Sequence, residues 1–102
     1  MCNIKDAKRW IKLAEMQMKE NNVEKARESY LEAASIYVLQ AEFTKNDHLV
    51  EHANECYKMS REISGEKWEK VLTKQELAKR TLFELNEDKI TVEDLRMEIE
   101  NV

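Results

Sequence analysis

Glycine occurs once in this sequence, at Gly65, and proline not at all. Sheets and catalytic loops need residues that turn the backbone sharply, and Gly, Pro and Asn-Gly pairs usually supply them. Their near absence leaves long helices joined by short polar turns, so the expected fold class is all-α. A single Gly also excludes the glycine-rich loops that cradle phosphates. No run of about 18 apolar residues exists, and no membrane span is expected. Lys5, Lys8 and Arg9 are not followed by an apolar stretch, so no signal peptide is expected. The two cysteines, Cys2 and Cys56, are too few for a disulfide framework and lack a Cys-x-x-Cys spacing. Cys56 falls on an apolar helical face and reads as a buried small hydrophobe. A reducing, cytoplasmic setting follows.

What the chain does have is charge. Its 102 residues suit one domain with one modest core, and 37% of them are charged. The net charge of −4 argues against a nucleic-acid partner, which favours a basic face. Residues 1–22 carry five Lys/Arg against three Asp/Glu, whereas residues 84–102 carry two against seven. That asymmetry permits an intramolecular contact or a basic partner, and solvated charge also accounts for it.

Hydrophobic periodicity divides the chain into five helical stretches. Ile4, Ala7, Ile11, Ala14 and Met18 recur at three and four and predict a helix from Ile4 to Asn21, with Asn3 as its N-cap. Val23 to Phe43 predicts a second helix. From Tyr30 onward it is apolar over most of its circumference, which predicts a central position between neighbours. After a turn at Thr44–Asp47, with Asn46 or Asp47 as cap, a third helix buries Leu49, Ala53, Cys56, Tyr57, Ser60 and Ile63. Ser64-Gly65 reads as its end, because Gly tolerates the left-handed C′ position. A fourth helix is expected from Glu66 to Leu85, with Trp68, Val71, Leu72, Ala78 and Leu82 on its apolar face. Thr91 can cap a fifth, short helix whose stripe is Val92, Leu95, Ile99 and Val102. Two units result within one domain: a three-helix bundle over residues 1–65 and a C-terminal helical extension over 66–102 packed on it.

One constellation is more specific. Trp10, Leu13 and Ala14 in the first helix, with Ala26, Tyr30 and Ala33 in the second, resemble the tetratricopeptide skeleton. Small residues at the crossing let two antiparallel helices touch, and large ones at its edges fill the space. Gln17 replaces that family's Tyr and Val38 its closing Pro, and Ser60 stands where a second repeat wants Ala. A hairpin of this kind with lengthened helices and one extra helix resembles the MIT (microtubule-interacting and trafficking) domain, over roughly Ile4 to Ile63. The likeness rests on Ala7, Ala14, Val23-Glu24-Lys25-Ala26, Tyr30, Ala33 and Glu55-Cys56-Tyr57-Lys58. The segment Tyr30–Tyr37 is also similar to soluble NSF attachment proteins. The MIT resemblance implies a three-helix bundle that takes short amphipathic helices of ESCRT filament subunits beside its third helix. It puts Leu49, Val50, Ala53 and Tyr57 or Met59 near that groove. The acidic segment from Thr91 to Val102 is then expected either to pack as part of a second hairpin or to block the groove.

Candidate chemistry is sparse. His48-Leu49-Val50-Glu51-His52 matches the His-x-x-Glu-His motif that sets two imidazoles one helical turn apart. A catalytic zinc needs a third protein ligand, and the sequence has no further His, though Glu55 lies one turn on. Met16, Met18, Met59 and Met97 are expected to fill the core, as are Trp10 and Trp68. The reading is a non-enzymatic adaptor, without cofactor, that binds an amphipathic helix of a partner protein in an interhelical groove. The alternatives are a helical homodimer in which residues 66–102 pack across chains, and a small metal-binding domain centred on His48 and His52.

Overall fold

The computed structural model describes residues 4–85. The expected cap Asn3, Cys2, Met97 and the expected helix from Thr91 to Val102 lie outside them. The described residues are all-helical, with no strand: α1 (Ile4–Lys19), α2 (Val23–Thr44), α3 (His48–Glu62) and α4 (Lys74–Leu85).

Local chemistry sets the helix ends. After α1, Asn21 turns left-handed at φ 62°. The N–H groups of Asn22 and Asn21 then donate to the carbonyls of Gln17 and Met18, at 2.8 and 3.1 Å. Gly65 repeats the motif after α3 at φ 88°. There the N–H of Glu66 reaches the Arg61 carbonyl at 3.1 Å and that of Gly65 the Glu62 carbonyl at 3.0 Å. Both are Schellman closures, which satisfy carbonyls that a helix end leaves unpaired. Gly65 therefore occupies the C′ position expected of it. Between α2 and α3, Lys45 is left-handed and the Asn46 side chain accepts the His48 N–H at 3.1 Å.

The fourth helix departs from expectation. It starts at Lys74, not Glu66, and residues 66–73 form a non-helical strap. Two contacts account for this. Asn54 of α3 grips the strap at Leu72, accepting its N–H at 2.8 Å and donating to its carbonyl at 2.9 Å. Thr73 then caps α4: its hydroxyl oxygen accepts the Glu76 N–H at 3.3 Å and lies equally far from the Glu76 carboxylate. Thr73 is thus the N-cap of α4, with Glu76 at the Thr-x-x-Glu spacing, and the helix starts after it.

The expected central helix is central. The backbone of α2 packs closely against α1, α3 and α4, whereas α1 hardly approaches α3 or α4. Glu84 and Arg27 meet at one end of the α2–α4 pair and Lys74 and Glu42 at the other, so these helices run antiparallel. Small residues line the closest approaches: Ala7, Ala14, Ala26, Ala33, Ala34, Ala41 and Ala53 are all essentially inaccessible. Leu31, Tyr57, Leu72 and Leu77 supply the bulk of the core. Trp10 and Trp68 pack on its edge. Met16 and Met59, expected inside, are exposed, because each lies on the side of its helix turned from α2. Met18 is partly buried against Ala14, Ala26 and Tyr30.

Candidate functional site

The residues expected to line a groove on α3 divide into two groups. Leu49, Ala53 and Tyr57 are buried in the core, and Val50 packs partly against it. Met59 is 38% exposed. The chain's own strap and α4 cover Tyr57: the Trp68 ring meets it edge-on with centroids 5.4 Å apart. The Tyr57 hydroxyl lies 3.4 Å from Glu84 Oε1 and accepts from Arg61 Nη2 at 2.7 Å.

This contact belongs to a larger cluster. The Glu84 side chain is only 7% exposed and pairs with Arg61 of α3 and, at 3.7 Å, with Arg27 of α2. Arg61 lies over both the Tyr57 and Trp68 rings, at 5.2 and 5.8 Å from their centroids, and Arg80 lies 5.5 Å from Trp68. One carboxylate thus joins three helices, and aromatic faces offset the positive charge gathered around it. Trp68 Nε1 and Glu84 Oε2 are buried with no hydrogen-bond partner among the described residues. Sequence reading passed over Arg27, Asn54, Arg61 and Glu84, because solvated ion pairs along a helix look the same in one dimension. Thr73-Lys74-Gln75-Glu76 did carry a signal, the Thr-x-x-Glu spacing.

Beside the strap, a shallow cleft of about 250 Å³ runs between it and the outer face of α3, lined by Glu51, Asn54, Glu55, Lys58 and residues 68–71. A larger one, about 340 Å³, lies over α2 where α1 and α4 stand apart. Trp10 and Gln17 form one wall, Leu85 the other, and Lys25, Glu28, Ser29 and Glu32 the floor. Gln17 has a local purpose: its Oε1 lies 2.6 Å from the Ser29 hydroxyl, tying the wall to the floor. Helical spacing extends the cleft beyond these residues. On α2 the stripe Lys25, Glu28, Glu32 continues through Ser35 to Leu39 and Phe43, which are 54% and 84% exposed. Leu13 shares the wall stripe of Trp10 and Gln17, and Leu82 that of Ala78 and Leu85; both are exposed. The exposed stripe of α2 thus continues the cleft between the parallel helices α1 and α4, with Leu39 and Phe43 toward its Lys74–Glu42 end.

Lys74 Nζ stands 2.7 Å from Glu42 Oε2 at that end. This bond holds the Glu42 carboxyl below the ordinary carboxylate range and the Lys74 ammonium above the ordinary lysine value.

The histidines sit apart from these clefts. His48 and His52 are both exposed at the start of α3. His48 Nδ1 is 3.9 Å from Glu51, and the His52 ring lies 5.3 Å from that of Tyr37. Among the described residues, no three of His, Cys, Asp and Glu stand together as a group that could hold a metal ion. Cys56 is a buried free thiol, its pKa pushed up to about 12 by burial and, secondarily, by Glu55. Burial likewise raises the Tyr37 and Tyr30 hydroxyls, with Cys56 adding at both and Glu15 at Tyr30. A thiol so placed is a core side chain and not an activated nucleophile. No helix among the described residues is long and apolar enough to cross a membrane.

Comparison of the chain with protein-family models, curated proteins and solved structures gives no match.

Proposed function

We propose that this chain is a non-enzymatic adaptor that holds an amphipathic helix of a partner protein in the channel between α1 and α4. The observation that carries this reading is the exposed apolar stretch of α2 beside the cleft: Leu39 is 54% and Phe43 84% exposed, with Leu13 exposed on the α1 wall. A helix with residues at three-and-four spacing could lay its apolar stripe on that stretch. The likeness of the first hairpin to MIT-type and tetratricopeptide-type modules supports the same class of function. It also suggests a cytoplasmic, trafficking-related partner of the ESCRT filament kind. The channel over α2 suits the role better than the α3 face, where Trp68 and Glu84 already lie on Tyr57.

The test is titration of the full chain with synthetic amphipathic helices taken from ESCRT filament tails, followed by the amide signals of α1, α2 and α4. Saturable shifts at Trp10, Leu39 and Leu82, lost in Leu39→Asp, are expected. Absence of saturable binding across the set would overturn the reading. Phe43, almost fully exposed, favours one other occupant, a second copy of the chain. A mass of two chains in light scattering, returning to one in Phe43→Asp, would establish that instead.

A further inference from the structure

We infer that the partner helix taken by this channel is cationic at one end and aliphatic at the other, its lysine or arginine side chains set over Glu28 and Glu32 of α2. This rests on the capture reading above and adds the chemistry of the partner. The floor of the cleft holds one cation, Lys25, against two carboxylates, Glu28 and Glu32. Glu28 is exposed and makes no ion pair among the described residues.

The walls do not answer that charge. On α1 the side facing the cleft is Trp10, Leu13 and Gln17, and on α4 it includes Ala78 and Leu85. None of these is charged. Lys5, Lys8, Lys12 and Lys19 of α1 lie on its other sides by helical spacing. Lys74 stands at the far end, already bound to Glu42. Over such a floor an incoming cation gains and an incoming acid loses.

Helical spacing turns the lining into a pattern. Glu28, Glu32, Leu39 and Phe43 follow one another along one stripe of α2 at steps of four, seven and four. Together they span about 22 Å. A helix lying on that stripe carries two cations four residues apart and, seven further on, two aliphatic side chains four apart, or the same order reversed. Lys25, three residues before Glu28, opposes a third cation and suits an acid or the partner's end. Exposed ion pairs are worth little beside buried apolar area, so Leu39 and Phe43 supply the affinity and the carboxylates the choice of partner.

The experiment titrates the full chain with synthetic helices of about 19 residues, the length of α2 from Lys25 to Phe43. One carries Lys at the two charged positions and Leu at the two apolar ones, on an Ala–Gln background. The other has Glu in place of Lys, and each is made in both chain directions. Binding is read from the Trp10 indole N–H, assigned with Trp68→Phe. We expect the Lys helix, in one direction, to bind about tenfold more tightly than the Glu helix, the factor for two exposed ion pairs in place of two like-charge contacts. The preference should shrink at about 0.5 M salt and reverse in Glu28→Lys/Glu32→Lys. Glu28→Gln, a milder change at an exposed position, should reduce it with helicity unchanged by circular dichroism, so a double variant that fails to fold does not end the test. Glu51→Lys/Glu55→Lys, the same charge change at exposed positions of α3, should leave the preference as it is. Equal affinity for both helices, a preference for the Glu helix, or an equal response to the α3 variant would overturn the inference and leave partner capture standing. The same holds if ESCRT filament tails bind and neither synthetic helix does. If nothing binds, the capture reading falls and the charge rule with it.

Discussion

Around α2 the chain uses two kinds of contact. Against α1 and α3 small side chains, Ala7, Ala14, Ala26 and Ala33 and also Ala34, Ala41, Ala53 and Ser60, sit at the inaccessible positions, with Tyr30 and Tyr37 filling the space beside them. Backbones approach closely there, and stability comes from dense packing over two long helices. Against the strap and α4 the interface is a few large residues, Leu72, Leu77 and Trp68, fastened by Asn54 and by the Glu84–Arg61–Arg27 cluster. The first kind tolerates no added volume and the second no lost anchor. The difference teaches that the seams hold the frame, while the strap and α4 form a separately fastened wall of the channel.

Removing an anchor should have the largest effect. Leu77 is fully buried in the first turn of α4, and Leu77→Ala should cost about 2–5 kcal/mol by urea denaturation. Its distribution is the sharper measurement. Amide exchange should rise over 66–85 well before it rises in α1 and α2. Uniform acceleration across all four helices would show that the two regions open as one and would break the comparison.

Adding volume to a seam tests the other side. Ala33 is inaccessible in α2, facing neighbouring helix, and Ala33→Leu should cost about 1–3 kcal/mol through forced separation of the backbones. The expected exchange pattern is the reverse of that for Leu77→Ala, with α1 loosened first. A neutral result would mean that the seam has slack.

These two regions were unequally legible in the sequence. The seams announced themselves, because alanines at three-and-four spacing on two consecutive amphipathic stretches have one economical arrangement, a close helical hairpin. Gly65 and the polar turns marked the breaks for the same local reason. The strap did not, since Trp68, Val71 and Leu72 fit a helical stripe as well as they fit an irregular path. What decides between them is Asn54, 18 residues earlier in the chain, and no periodicity reports a side chain reaching that far. The channel was hidden similarly: Leu39 and Phe43 read as part of an all-round apolar helix, and only the placement of α1 and α4 leaves that stripe uncovered.

Asn54 gives the third prediction. Asn54→Ala deletes both bonds to Leu72 and leaves its buried-side N–H and carbonyl unmatched, for a cost of about 1–3 kcal/mol. The effect should be confined to the strap, seen as a loss of exchange protection at Leu72 with α1 and α2 unchanged. If protection at Leu72 persists, Trp68 and the Glu84 cluster fasten the strap without Asn54.

The smallest effect belongs to pH and to the seam between α2 and α3. Cys56 has an ordinary value of 9.0 and a folded value of about 12, so the folded chain holds its proton longer than the unfolded one. The sign follows: this contribution is complete below about pH 9 and is lost as pH rises toward 12. At pH 10 the loss should be about 1 kcal/mol. Tyr30 and Tyr37, also raised by burial, act in the same direction at higher pH. Cys56→Ala removes the thiol from this linkage and should flatten the decline of stability between pH 8 and 10 measured by urea denaturation. An equally steep decline in the variant would assign the alkaline loss to the tyrosines and to the Lys74–Glu42 bond. Because Lys74 is raised by that bond, its contribution also fades as pH climbs through the lysine range, and there the strap side would yield before the seam.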